Sequence, residues 1–147
     1  MQKAKTEGRG SGRAREALVA ADLMTANPRT ILDTASVAEA IEVLEELDVR
    51  HLPVVDSEGN LVGMLSDRDL RPLATEQDEE GLVRRMRTPV VDLMTGGVVS
   101  VVFDTDVREI IELMLDHRIG AVPVVDGEGQ IVGIVSYVDI LRTLLKD

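Results

Sequence analysis

The chain has 147 residues, enough for one compact domain or for two small units sharing a core, and 44% of them are hydrophobic. Only Phe103 and Tyr137 are aromatic and there is no cysteine, which excludes aromatic cages, rows of stacking platforms, disulfides, thiolate nucleophiles and cysteine-based zinc sites; two histidines, His51 and His117, make no multi-histidine centre alone. The net charge of −11 is uneven: residues 1–20 hold five basic and two acidic residues, a net of +3, leaving −14 on a body that repels the nucleic-acid backbone.

Residues 1–20 read as a basic flexible leader, because a run such as Gly8-Arg9-Gly10-Ser11-Gly12-Arg13 cannot offset its ordering entropy. It lacks the third glycine and the preceding strand of a dinucleotide fingerprint. The apolar stretch from Ala17 to Ala21 is too short for a signal segment, and no apolar run approaches the roughly eighteen residues of a membrane helix. A soluble, cytoplasmic protein without membrane association is expected.

From Asp22 the sequence repeats itself. A shift of 70 lays Asp22-Leu23-Met24-Thr25 on Asp92-Leu93-Met94-Thr95, Pro53-Val54-Val55-Asp56 on Pro123-Val124-Val125-Asp126, and Gly63, Ser66 and Asp69 on Gly133, Ser136 and Asp139. Eighteen of 50 positions are identical between residues 22–71 and 92–141. The chain therefore divides into copies at 21–74 and 91–147, joined by a linker, 75–90, read as solvated with a helical turn.

Each copy reads β-α-β-β-α. Thr30 to Leu32 and Ser100 to Phe103 are short β-prone runs. Ser36-Val37-Ala38-Glu39 and Asp106-Val107-Arg108-Glu109 have the spacing of capping boxes. Behind them Val37, Ala40, Ile41, Leu44 and Leu47, and Val107, Ile110, Ile111 and Met114, form the apolar stripe of a helix that buries one face. Leu52 to Val55 and Leu61 to Leu65 then make a hairpin turning at Gly59, repeated in the second copy with Gly129. Ser66 and Ser136 open last helices running to about Ala74 and Leu145. Units of some fifty residues are near the lower limit for folding alone, so the copies are expected to pack about a pseudo-two-fold axis as an α/β (α+β) fold.

In their order and duplication these pieces resemble the cystathionine-β-synthase-type (CBS) domain, and the pair resembles a stand-alone Bateman module. The resemblance rests on Asp-Leu-Met-Thr, Pro-Val-Val-Asp and the G-h-h-S-x-x-D-h signature, present as Gly63 to Leu70 and Gly133 to Ile140, and it spans residues 22 to about 145. It implies two related clefts for adenine nucleosides and nucleotides such as AMP, ADP, ATP or S-adenosylmethionine, with or without Mg²⁺ and with no obligatory cofactor. It also implies a homodimer and an unknown partner regulated through conformation or dimer geometry.

The residues themselves support such a site. A strand that ends where a helix begins exposes unpaired N–H groups and the positive end of the helix dipole. There Ser66 or Ser136 can bond a phosphate oxygen, and Asp69 or Asp139 can accept two hydrogen bonds from a ribose diol. Thr30, Ile31, Leu52 and Pro53 in the first copy, and Ser100, Val101, Val122 and Pro123 in the second, are the expected walls around the adenine. The first signature carries Arg68, with Arg50, His51 and Arg71 nearby, and suits more highly phosphorylated ligands. The second has Tyr137 and Val138, with Gly120 and Ala121 in place of Arg50 and His51, and suits a nucleoside, a monophosphate or no ligand. An S-x-x-D pair alone is also a plain helix cap.

No nucleophile elbow, zincin or Walker pattern is present, and pseudo-symmetric clefts suit binding better than chemistry, so a non-enzyme is expected. Three functions compete: a small-molecule sensor, a ligand-independent dimerisation scaffold, and, less favoured by charge, a nucleic-acid-associated protein acting through its leader.

Overall fold

The computed structural model describes residues 18–146; residues 1–17, and with them most of the basic leader, lie outside these. The leader's end at residues 18–20 belongs to the fold. The Leu18 carbonyl accepts from Val107 N–H at 2.9 Å, Val19 pairs with Asp106, and Ala20 is fully buried.

In chain order the elements are α1 (Ala20–Leu23), β1 (Thr25–Ala26), β2 (Ile31–Leu32), α2 (Val37–Leu47), β3 (His51–Val55), β4 (Leu61–Ser66) and α3 (Asp67–Ala74). There follow α4 (Glu79–Arg87), a 3₁₀ turn (Val90–Asp92), β5 (Thr95–Gly96), α5 (Val107–His117), β6 (Ala121–Val125), β7 (Ile131–Ser136) and α6 (Tyr137–Leu145). None of the described helices is long and apolar enough to cross a membrane.

The expected hairpins form with matching registers, His51 opposite Ser66 and Ala121 opposite Ser136. Gly59 (φ 87°) and Gly129 (φ 82°) supply the left-handed turn residue, a conformation that costs a residue with a Cβ. Helix α2 starts on a true capping box: Glu39 N–H donates to Ser36 Oγ (3.1 Å) and Ser36 N–H to Glu39 Oε1 (2.8 Å). Its counterpart α5 does not follow the expected box, because Asp106 Oδ1 accepts from Arg108 N–H at 2.8 Å, one residue earlier. The β-run expected from Ser100 to Phe103 reduces to a single pair, Val101 with Val124, since Val102 N–H turns to the Thr105 hydroxyl at 3.0 Å.

The copies exchange their leading segments. One sheet has the order β2-β3-β4-β5 and the other β1-β7-β6, so β5 of the second copy pairs with β4 of the first, and β1 of the first with β7 of the second. The cores cross in the same way: Ala20 and Leu23 pack with Val101, Ile110 and Val122, while Val90 packs with Ile31, Leu44 and Leu52. Two sequence motifs thereby become one contact. A Cβ on Gly63 would collide with Met94 and the Thr95 carbonyl, and a Cβ on Gly133 with Met24, so the glycine of each G-h-h-S makes room for the methionine of the other copy's Asp-Leu-Met-Thr.

The linker, expected to be solvated with a helical turn, carries a nine-residue helix. Residues 79–87 form a helix with Asp78 as N-cap, glutamates in the first turn and arginines in the last, the polarity that suits the helix dipole. Beyond it, Thr88 accepts from Val37 N–H (2.9 Å) and Val90 N–H donates to the Ala35 carbonyl (2.7 Å). This strap on α2 repeats, 70 residues on, the hold of Leu18 on Val107.

Candidate functional site: a cleft between the copies

Helix α3 begins where β4 ends, and one carboxylate organises the junction. Asp69 Oδ2 accepts from Ser66 N–H (2.9 Å) and from the Ser66 hydroxyl (3.3 Å), which is the helix cap. Asp69 Oδ1 accepts from the Thr95 hydroxyl at 3.0 Å. Pairing of β4 with β5 sets Thr95 opposite Met64 and so brings this second-copy residue to the first copy's signature. The carboxylate keeps about one of its four lone-pair sites free, and a ribose diol would bond Oδ1 by taking the place of Thr95.

Next to Asp69 lies a cleft of about 450 Å³, within the roughly 300–1,000 Å³ of small-ligand pockets. The first wall is α3, with Ser66, Asp67, Arg68 and Arg71; the second is the stretch after β5, with Gly97, Val98 and Val99, beside Met64. The third is the approach to β6, with His117, Ile119, Gly120 and Ala121, and Arg50, His51 and Tyr137 meet at one end. The site therefore combines arginines, two aspartates and an aliphatic surface.

Near the pseudo-two-fold axis, His51 and Tyr137 converge on Gly120. His51 Nε2 and Tyr137 Cδ1 both lie 3.4 Å from where a Cβ on Gly120 would stand. Tyr137 N–H donates to the Gly120 carbonyl (3.0 Å), as Asp67 N–H does to that of Arg50 (3.2 Å). Burial lowers the pKa of His51 below its usual value; Asp67 pulls the other way without compensating, and Arg50 adds to the lowering.

Of the sixteen residues expected at a site, the cleft collects His51, Ser66, Arg68, Asp69, Ala121 and Tyr137. The residues expected as walls do not line this cleft. Ile31, Leu52, Val101 and Val122 belong to the two cores, and Pro53 and Pro123 are buried in β3 and β6. Thr30 and Ser100 do not line the cleft, and neither do Ser136 and Asp139. These last two repeat the helix cap, with Asp139 Oδ2 accepting from Ser136 N–H and hydroxyl, both at 2.9 Å, but Asp139 Oδ1 faces Arg142 at 4.0 Å.

The wall that faces Ser66 and Asp69 comes from the other copy, as expected of a cleft between the repeats. Sequence reasoning missed Thr95, Val98, Val99, Ile119 and the neighbouring glycines. One usable signal existed, since Thr95 closes the Asp-Leu-Met-Thr motif and had no assigned task. Among the described residues there is no cluster of three side chains suited to a metal ion.

A family model for the CBS domain matches residues 19–74 and 90–146. The chain belongs to the CBS-domain family. A CBS domain-containing protein of Dictyostelium discoideum is 34% identical over 134 residues, covering 88% of this chain and 89% of the relative. The inosine-5'-monophosphate dehydrogenase of Methanocaldococcus jannaschii is 35% identical over 125 residues; the match takes in 85% of this chain but only 22% of that enzyme. Among solved structures, CBSX2 in complex with AMP superposes with a TM-score of 0.75 at 32% identity, covering 87% of this chain and 96% of that one. The CBS domain pair of protein MJ0100, in complex with 5'-methylthioadenosine and S-adenosyl-L-methionine, gives 0.74 at 29% identity, covering 88% and 97%. The mixed α/β fold of this chain is shared with these two solved structures.

Proposed function

We propose that the chain is a regulatory module that binds an adenine nucleotide in the cleft between its CBS copies. The observation that carries this reading is the junction at Asp69, where a helix start from one copy, Thr95 from the other and a cleft of about 450 Å³ meet. Asp69 accepts the ribose hydroxyls, Met64, Val98, Val99 and Ile119 supply aliphatic surface for the base, and Arg68 and Arg71 meet phosphate through charge-assisted bonds. A ligand that holds Asp69 together with Val98 and Val99 ties the copies to each other, and that difference in contacts is what a partner can read. AMP bound to CBSX2 and S-adenosyl-L-methionine bound to the MJ0100 pair support this ligand class.

A homodimer belongs to the same reading. Helix α6 exposes Val138, Leu141, Leu144 and Leu145, the last 84% accessible, and a second copy of the chain covers that face. If the face alone acts, the module is a ligand-independent scaffold, and one experiment separates the two readings. Thermal unfolding is followed with AMP, ADP, ATP and S-adenosylmethionine, each with and without Mg²⁺. Ligand at a hundred times its Kd stabilises by about 2.7 kcal/mol, a rise in Tm of roughly 5–10 °C. A Tm unmoved by every compound overturns the sensor reading and leaves the scaffold.

A further inference from the structure

Asp69 is largely occupied by the chain itself. The Ser66 N–H and hydroxyl take both acceptor sites of Oδ2, at 2.9 and 3.3 Å, and the Thr95 hydroxyl takes one of the two on Oδ1, at 3.0 Å. One acceptor site is left, and it suits one sugar hydroxyl. A diol brings two, and the second finds its place held by Thr95.

The fold does not require that bond. Asp139 caps α6 through the same two bonds from Ser136, yet its Oδ1 faces Arg142 at 4.0 Å, and among the described residues no hydrogen bond joins it to Thr25, the match of Thr95. Opening the bond at Asp69 takes a side chain only. Thr95 is exposed, and its backbone is fixed by the pairing of β4 with β5 and by Met94 over Gly63, so a turn about χ1 carries the hydroxyl away while the strand stays.

Resting on the nucleotide-binding reading, we propose that Thr95 is an internal competitor for the sugar: it narrows the preference of the cleft for ribose over deoxyribose, and only a ligand with both hydroxyls releases it. A ligand with one sugar hydroxyl takes the open site on Oδ1 and leaves the bond between the copies in place. A ligand with two breaks that bond, exchanging a contact of α3 with β5 for contacts with itself. The two kinds of ligand therefore leave the copies joined in different ways, and such a difference in contacts is what shifts a conformational equilibrium.

The experiment is calorimetric titration of the full chain with AMP and with its 2′-deoxy and 3′-deoxy forms, checked by circular dichroism for folding. The readout is the ratio of affinities, AMP against each deoxy form, which a general loosening of the site leaves alone. Thr95→Ala removes the competitor, so the ratio rises by about three- to tenfold, the value of one hydrogen bond. Thr95→Ser keeps the hydroxyl and the wild-type ratio. If Thr95→Ala unfolds, Thr95→Cys takes its place, because a thiol is a weak donor. A ratio that stays or falls when the hydroxyl is removed, or that rises equally in Thr95→Ser, overturns the proposal and leaves nucleotide binding intact. No heat from any of the three nucleotides on wild type or on the folded variants overturns the nucleotide reading itself, and the proposal with it.

Discussion

Helices α3 and α6 start on the same serine and aspartate and then part. After Ser66 come Asp67, Arg68 and Arg71, which line a cleft; after Ser136 come Tyr137, Val138 and Leu141, each 41% or more exposed, with Leu144 and Leu145 beyond. What the copies share is what makes the unit fold: the cap, the glycine under a methionine, the hairpin turn. What differs is the outward surface, charge on one helix and hydrocarbon on the other. A duplicated fold has in this way been given one polar and one apolar outer helix without altering its framework.

The sharpest way to break this comparison is to put charge on each helix in turn. In the proposed homodimer, Leu141→Glu removes an apolar contact from both sides of the interface and sets two carboxylates in it. At about 1.5 kcal/mol or more per leucine, the dimer weakens by at least about 3 kcal/mol, more than a hundredfold in dissociation constant by analytical ultracentrifugation. Arg71→Glu, at the matching place on α3, leaves association unchanged and weakens phosphate-bearing ligands instead. Equal effects of the two variants on assembly would remove the distinction between the helices.

Next in size is the pair of signature aspartates. Asp69→Ala deletes an acceptor for two charge-assisted hydrogen bonds, each about 1.5 kcal/mol at the low end, and raises the Kd of AMP or ATP about a hundredfold in calorimetry. Asp139→Ala leaves that Kd within about threefold. Both lose the bond to a serine N–H, so urea unfolding shows a similar cost of about 1 kcal/mol for each. If Asp139→Ala also abolishes binding, the two signatures are equivalent after all.

The glycines test the exchange of leading segments. Gly63→Ala meets the Thr95 carbonyl as well as Met94, and backbone in β5 cannot step aside, so about 2–3 kcal/mol is lost. Gly133→Ala meets only the flexible side chain of Met24, and about 1 kcal/mol is lost. Met94→Ala in the Gly63→Ala background recovers part of the loss, while Met24→Ala, in the other half, does not.

These comparisons also mark what the sequence made legible. A shift of 70 was enough to find the copies, the hairpins, four helix starts and the cap at Asp69, because each follows from local chemistry within a few residues. It could not reveal that the segments exchange, since Asp-Leu-Met-Thr fits a glycine that stands at the same place in both copies. The choice between them is made by chain connectivity and packing. The same exchange decides the cores: Leu52 packs with the other copy's Val90 and Val122 with the other copy's Leu23, contacts that no single copy's pattern displays.

The smallest expected effect is one of pH, and it concerns the one titrating difference at the axis, His51 against Ala121. Its neighbours are Asp67, Asp69, Arg50 and Arg68, and burial outweighs the pull of the acids, so the folded chain holds its proton less tightly than the unfolded chain, which titrates near 6.5. Between the folded pKa and 6.5 the unfolded state therefore binds more protons. The stability linked to neutral His51 is complete above about pH 6.5 and is lost as the pH falls toward the folded value. Urea midpoints measured from pH 7.5 to 5.5 should fall more for wild type than for His51→Ala, whose residue at this place matches the second copy. A bound nucleotide reverses the sign, because phosphate beside His51 favours the charged ring, so affinity for ATP should rise over the same interval. Identical pH profiles for wild type and His51→Ala, with and without ligand, would place the imidazole outside the buried contact between the copies.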